Sequence, residues 1–426
     1  MLNLLSFAGV MKSIGGVLSA IAVLLIMVTI HEFGHYVAGK ILGFKINEFS
    51  VGFGPALYKK RSKKTGELFA LRIVPLGGYC AFDGEDYDEE EQANAKKMQE
   101  QETEEPFAEM MANPVETENE GGRVALNGET ESDLEKKEED EYPEPKGERF
   151  NDQPPWKRII VLIAGATMNY LLAITLIMIM FFSYGCIHSL VVYKGEAETP
   201  PTATETQLGD WDIVTAVNGK GIYMLTDYVD ALSGKKAGDE IQVEILRKNA
   251  EGNWEEKTLT LIAQIDCNFK SMTETSKAAQ ALGLDLENYG LSNVVVKQGF
   301  WETVGSSFVY SFKIGGTVLR SLGELITGRL GLDAMGGPVT TIGVAAQAAS
   351  GGMLSLLNVA SFIGVNLAVF NLLPIPALDG CKVIFCLIEW IRKKPVNRKV
   401  ETIIHFVGIV VLFGFAILVD ILQLFH

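Results

Sequence analysis

IGGVLSAIAVLLIMVTIHEFGHYV, Ile14 to Val37, is an apolar run long enough to cross a bilayer as one helix, and His31, Glu32 and His35 stand inside it. Ionisable groups at bilayer depth are costly, so they face the protein interior and do chemistry. Residues four apart share a helix face, so His31 and His35 are placed to hold one zinc ion. Glu32 lies beside them as a proton acceptor, which is the H-E-x-x-H pattern of zinc peptidases placed in a membrane. A buried His in an apolar segment is more often a hydrogen-bonded core residue, but an apolar helix has no structural need for three such groups. The run lacks an A-x-A-type cleavage site, so it reads as a retained helix and not a removed signal peptide.

Further spans are expected at about Ile159–Tyr184, Leu354–Leu373 and Thr402–Leu424. The stretch 300–325 is less apolar and carries Glu302, Lys313, Arg320 and Glu324, so it reads as an interfacial amphipathic helix. Lys and Arg cluster after the first span, before the second and between the third and fourth. With four spans all three clusters lie on one side, the cytoplasmic one. The H-E-x-x-H then falls at the cytoplasmic end of its span, and 185–352 lies outside.

The formal charge of −16 is carried by one segment: residues 83–148 hold 25 acidic and 6 basic side chains. Most of 86–147 is Glu-rich and without steady periodicity, and is expected to be a disordered spacer. No basic patch of nucleic-acid type appears, so no nucleic acid is expected as a partner. Of the five cysteines none forms a CxxC pair. Cys186 and Cys267 fall on the same side of the membrane, though nothing in the spacing requires them to pair, and cysteine ligation of the metal is a weak alternative.

Between Phe44 and Phe82 the pattern is β-like, with runs at 67–75 and 78–82 around Pro75-Leu-Gly-Gly and a hairpin tip at 60–66. A small sheet against the membrane is expected there. From about 187 to 266 a soluble β-rich module follows, with an Asn218-Gly219 turn.

A catalytic zinc takes a third protein ligand. The candidate is Asp379, which ends the apolar stretch Asn366-Leu-Ala-Val-Phe-Asn-Leu-Leu-Pro-Ile-Pro-Ala-Leu-Asp. Pro374 and Pro376 break the helix, and broken helices occur at membrane depth only where the protein satisfies the freed backbone.

HEFGH in the first span with NLLPIPALDG in the third resembles the site-2 protease family of intramembrane zinc metalloproteases, and more closely its bacterial regulator-of-sigma-E type. Phe53-Gly-Pro, Pro75-Leu-Gly-Gly-Tyr, Asn169 and Gly336-Gly-Pro-Val are similar to the same family, and the Gly209-Asp210…Asn218-Gly219 run resembles its PDZ domain. The resemblance implies that His31, His35 and Asp379 bind Zn2+, that Glu32 is the general base, and that Asn371, Leu76, Gly77 and Gly78 position substrate. It also implies that the 67–82 hairpin is a membrane-associated β-element whose edge pairs with an unwound substrate. The chain departs from the family's pattern at Cys381-Lys382, at the Thr- and Pro-rich run 198–207, and in the acidic insert.

The expected fold is a polytopic α-helical membrane protein with about four transmembrane helices, a small membrane-associated β-element and one extracytoplasmic PDZ-like α+β domain. Its parts are 1–85 with the H-E-x-x-H, the acidic insert 86–150, the second span 151–186, the PDZ-like domain 187–266, a helical segment 267–353, and the last two spans 354–426. The expected activity is cleavage of single-span membrane proteins, such as anti-sigma factors, or of remnant signal peptides, in the bacterial cytoplasmic membrane with the active site toward the cytoplasm. A partner for the insert is unknown. The alternative is a catalytically inactive zinc-binding membrane scaffold or transporter.

Overall fold

The computed structural model describes residues 7–85, 142–195, 204, 206–249, 251–331 and 336–424. Residues 86–141 of the stretch expected to lack order, and most of the Thr- and Pro-rich run 198–207, lie outside these residues. Among the described residues four helices are long and apolar enough to cross a membrane: α1 (Phe7–Leu42), α2 (Pro155–Tyr184), α7 (Met353–Leu372) and α9 (Arg398–Leu424). At 1.5 Å per residue the 36 residues of α1 run about 54 Å, well over the roughly 30 Å of a hydrocarbon core. The chain divides into two compact units, residues 21–169 with 370–414, and residues 1–20, 170–369 and 415–426.

In the first unit the element after α1 is not a simple hairpin of short strands. β1 (Ile46–Arg61) and β2 (Leu68–Phe82) are long and both bend, so that two strands make four passes. Residues 48–51 pair on one side with 68–71 and on the other with 78–81, and the second half of β1 continues the sheet beyond 68–72. Pro75-Leu-Gly-Gly is therefore a bend within β2. Glycine makes the bends possible. Gly52 (φ 89°) and Gly77 (φ 145°) adopt angles that L residues avoid, and a Cβ on Gly52 would lie 2.8 Å from the Val74 carbonyl oxygen. The rings of Phe44, Phe82 and Phe150 pack at centroid distances of 5.4–5.6 Å beneath this sheet. Beside them the chain returning from the insert is fastened back. Lys45 N–H donates to Glu148 O at 2.9 Å, Glu148 N–H to Gly43 O at 3.0 Å, and Phe150 N–H to Asp83 O at 2.7 Å.

The second unit holds a sheet of six strands: β3 (Cys186–Tyr193), β4 (Ile213–Val217), β5 (Lys220–Gly221), β6 (Glu240–Lys248), β7 (Trp254–Ile262) and β8 (Tyr289–Val296). Five of them run in the order β7-β6-β4-β3-β8, with β5 on β4. The sheet thus extends past residue 266, because β8 pairs with β3 along its whole length, from Cys186↔Val296 to Tyr193↔Tyr289. Helices α3 (Thr226–Leu232) and α4 (Thr275–Ala281) cover a core of Val214, Tyr228, Leu232, Ile241, Val243 and Leu259. Cys186 and Cys267 are both free and buried, in separate apolar clusters.

Helix α5 (Phe300–Ile326) is built inside-out: Thr303, Ser306, Ser307, Tyr310 and Ser311 are buried, whereas Trp301, Phe308, Phe312, Leu319 and Ile326 are exposed. An apolar outer face of this kind suits lipid better than water. Helix α6 (Pro338–Ser350) follows, and Asp420 of α9 accepts hydrogen bonds from Val339 N–H at 3.2 Å and Thr340 N–H at 3.4 Å at its N-terminus.

Candidate metal centre

The three metal-donor candidates and the residues around them belong to the unit formed by 21–169 and 370–414. Helix α1 presents His31 and His35 one turn apart, both buried, with rings 4.8 Å apart and nearly perpendicular. The third donor arrives on a separate element. α7 ends at Leu372, the segment 373–378 is non-helical, and α8 (Asp379–Arg392) begins with Asp379. The prolines account for the break, and the protein satisfies it: Ala377, at φ 81°, donates its N–H to His405 Nδ1 of α9 at 3.1 Å. Gly380 lets the first turn of α8 come close to the end of α7, since a Cβ there would lie 2.6 Å from the Leu372 carbonyl oxygen.

The three donor atoms form a nearly equilateral triangle. His31 Nε2 and Asp379 Oδ2 are 3.0 Å apart, His35 Nε2 and Asp379 Oδ2 3.3 Å, and the two Nε2 atoms 3.2 Å. Tetrahedral zinc, with bonds of about 2.0–2.2 Å to N and O, has ligand–ligand edges of about 3.3–3.5 Å, so the triangle fits with little adjustment. Among the described residues this is the one group of three such side chains that could hold a metal. Burial alone would push the Asp379 carboxyl up, but hydrogen bonds and charge from His31 and His35 outweigh it and hold it below its ordinary value.

The surroundings fix both imidazoles for ligation through Nε2. His35 Nδ1–H donates to Val161 O of α2 at 2.8 Å. His31 Nδ1 is met by the carboxamides of Asn169 and Asn371, at 3.4 and 3.5 Å. The buried Asn169 oxygen is otherwise unpartnered. Turning that amide gives the oxygen the Nδ1–H of His31, which satisfies the orphan and leaves Nε2 free to ligate. Gly165 of α2 faces the pair directly: a Cβ there would collide with His35 Nε2 and stand 2.8 Å from His31 Cε1. Substituting Ala for Gly165 is expected to overpack the centre by about 1–3 kcal/mol, or about 5- to 150-fold in zinc affinity, read as zinc retained against a chelator.

Glu32 is half-buried and its side chain lies close to the β-element: a Cβ on Gly78 would be 3.1 Å from Glu32 Cγ. Among the described residues its carboxylate accepts no hydrogen bond. The outer edge of β2 at 78–82 is thus the strand next to Glu32. Gly77 packs against the Phe53 ring, and Leu76 lies within β2. The PDZ-like motif residues, in contrast, serve their own module. Gly209 N–H donates to Asp212 at 2.7 Å, Asp210 accepts from Tyr193 N–H at 2.7 Å, and Asn218-Gly219 forms the β4–β5 turn with both φ positive.

A family model described as "Peptidase family M50" matches residues 19–415, which takes in every donor and both carboxamides. The chain belongs to peptidase family M50. Several relatives align over nearly full length. The regulator of sigma-W protease RasP of Bacillus subtilis is 26% identical over 94% of this chain and 96% of its own. The zinc metalloprotease RasP of Bacillus licheniformis is 26% identical over 94% and 97%, and a putative zinc metalloprotease of Lactococcus lactis is 28% identical over 94% and 96%. This M50 chain, with its four apolar helices and β-sheets, is a multi-pass membrane protein.

Around this candidate site, the sequence alone gives no role to Gly165, Val161 or His405, and none to Asn169 beyond its likeness. A lone amide in an otherwise apolar helix was the available signal for Asn169. His405 offered the same signal in α9.

Proposed function

We propose that this chain is an intramembrane zinc endopeptidase, with His31, His35 and Asp379 as the zinc ligands and Glu32 as the general base. What supports the ligand set most is the triangle of donors at 3.0–3.3 Å, built from two spans' worth of separated sequence and backed by Val161 O and Asn169. When bound, zinc acidifies a water and polarises the scissile carbonyl. Glu32 takes the proton from the attacking water and passes it to the leaving amine. Asn371 and Asn169 hold His31 in the ligating tautomer, and Asn371, at the rim, also reaches the substrate.

A helical peptide bond is closed to attack until it is extended. The 78–82 edge of β2, near Glu32, offers an unwound substrate segment a strand to pair with, and Leu76, Gly77 and Gly78, at its start in β2, help position that segment. Substrates are single-span membrane proteins, among them anti-sigma factors, or remnant signal peptides. The Lys and Arg clusters put the centre toward the cytoplasm and the six-strand module, which we read as PDZ-like, outside. The alternative of a scaffold or transporter loses ground because nothing in it needs Glu32.

The module then limits access and does not take part in the chemistry. Deleting residues 187–296 is expected to leave cleavage of short-ectodomain substrates within about threefold while relaxing exclusion of those with bulky outer domains. The check compares both substrate lengths in reconstituted membranes; loss of short-substrate cleavage by a zinc-loaded deletion protein would give the module a direct role.

A further inference from the structure

The third donor is carried by a helix that the preceding span does not hold rigidly. Between Leu372 and Asp379 the chain is broken by Pro374 and Pro376. The position of α8 must therefore come from what it packs against. Part of that is apolar: Val383 and Cys386 join the cluster of Phe44, Phe82 and Phe150. The rest is charge. Arg158, in the first turn of α2, has a side chain only 2% exposed, and its Nη2 lies 2.6 Å from Glu389 Oε1 of α8. The contact is an ion pair and not an aligned hydrogen bond, because the N–H does not point along it. One turn after Asp379, Lys382 Nζ donates to Glu85 Oε1, just past the end of β2, at 2.9 Å. These four side chains and Glu401 surround a cavity of about 20 Å³, room for one water.

We propose that this charged hub positions Asp379, with Arg158 and Lys382 as positioning residues for the zinc centre; the inference rests on the zinc-peptidase reading above. Arg158 stands three residues before Val161, whose carbonyl orients His35. The same stretch of α2 thus sets one donor directly and, through Glu389, the helix that brings another. A largely buried carboxylate that loses its cation is left uncompensated, so without Arg158 the Glu389 side chain, 19% exposed, shifts to reach water or to admit it. α8 is free to make that shift because its link to α7 is broken. Metal donors tolerate displacements of only a few tenths of an ångström.

The test uses the full chain in detergent, loaded with zinc and challenged with a chelator, with zinc release and thermal unfolding followed separately. Arg158→Gln is expected to release zinc at least about 10-fold faster than the parent, and Lys382→Gln by a smaller factor. The exchanged pair, Arg158→Glu with Glu389→Arg, is expected to return release to within about threefold. Parental release from a folded Arg158→Gln protein overturns the proposal, and so does an exchanged pair as leaky as Arg158→Gln. If Arg158→Gln does not fold, Lys382→Gln decides, since its side chain is 26% exposed and its loss is tolerable; parental release there overturns the hub. Zinc release is read without substrate, so a parent that holds zinc yet cuts no membrane protein sinks the peptidase reading alone.

Discussion

Asp379→Ala protein, purified from the membrane, is expected to carry little zinc and to cut nothing. Loss of partners that only orient a ligand lowers metal affinity about 10- to 100-fold, and loss of a ligand should exceed the upper figure. The triangle leaves two imidazoles 3.2 Å apart with no anion to complete the set. His31→Ala and His35→Ala are expected to do the same. Metal analysis is decisive, because activity alone would also fall if α8 merely misfolded. Full zinc in Asp379→Ala would remove it from the ligand set and return the search to other donors.

Glu32→Gln is expected to separate binding from chemistry. The amide is nearly the same size and shape, so the donor triangle and the edge at Gly78 are undisturbed. Zinc content should match the parent. Cleavage should fall by about 10²–10⁴, the range over which a positioned proton acceptor contributes. A scaffold or transporter would show no such split, since its zinc and its partners would both survive the change. The same variant, still able to bind substrate, should retain membrane peptides on purification, and their sequences would name the substrate class. Undiminished cleavage by Glu32→Gln protein would exclude Glu32 as the base.

How much of this was legible beforehand depends on how far each signal reaches along the chain. His31, Glu32 and His35 could be read because three ionisable groups in an apolar run are conspicuous, and because a helix fixes what is four residues apart. Asp379 stood out through the two prolines before it. Gly165 could not be found this way: its contribution is the Cβ it lacks, which has meaning only once the imidazoles are known to face it. A small sheet was legible in the β-element, but its bends and pairing were not, because local alternation says that residues are extended but not which strand they pair with. Residues 48–51, paired on both sides, are fixed by contacts that no window of sequence contains. β8 was missed for a related reason: more than twenty residues separate it from β7, and its partner β3 is about a hundred residues earlier. Arg158 looked like one more loop-side positive charge, and nothing near it in sequence announced Glu389.

The fastening of Lys45, Asp83, Glu148 and Phe150 bears on how this gene can change. Both ends of the acidic stretch leave from one hydrogen-bonded doorway, next to the aromatic cluster of Phe44, Phe82 and Phe150. Whatever length of chain is spliced between them, the doorway presents the same two ends at the same spacing. None of these fastening bonds uses residues 86–141, so a change of length there is expected to leave α1 and β2 in place. A doorway of this kind lets selection act on the length and charge of the insert separately from the proposed zinc ligands, since the two share no bond among the described residues.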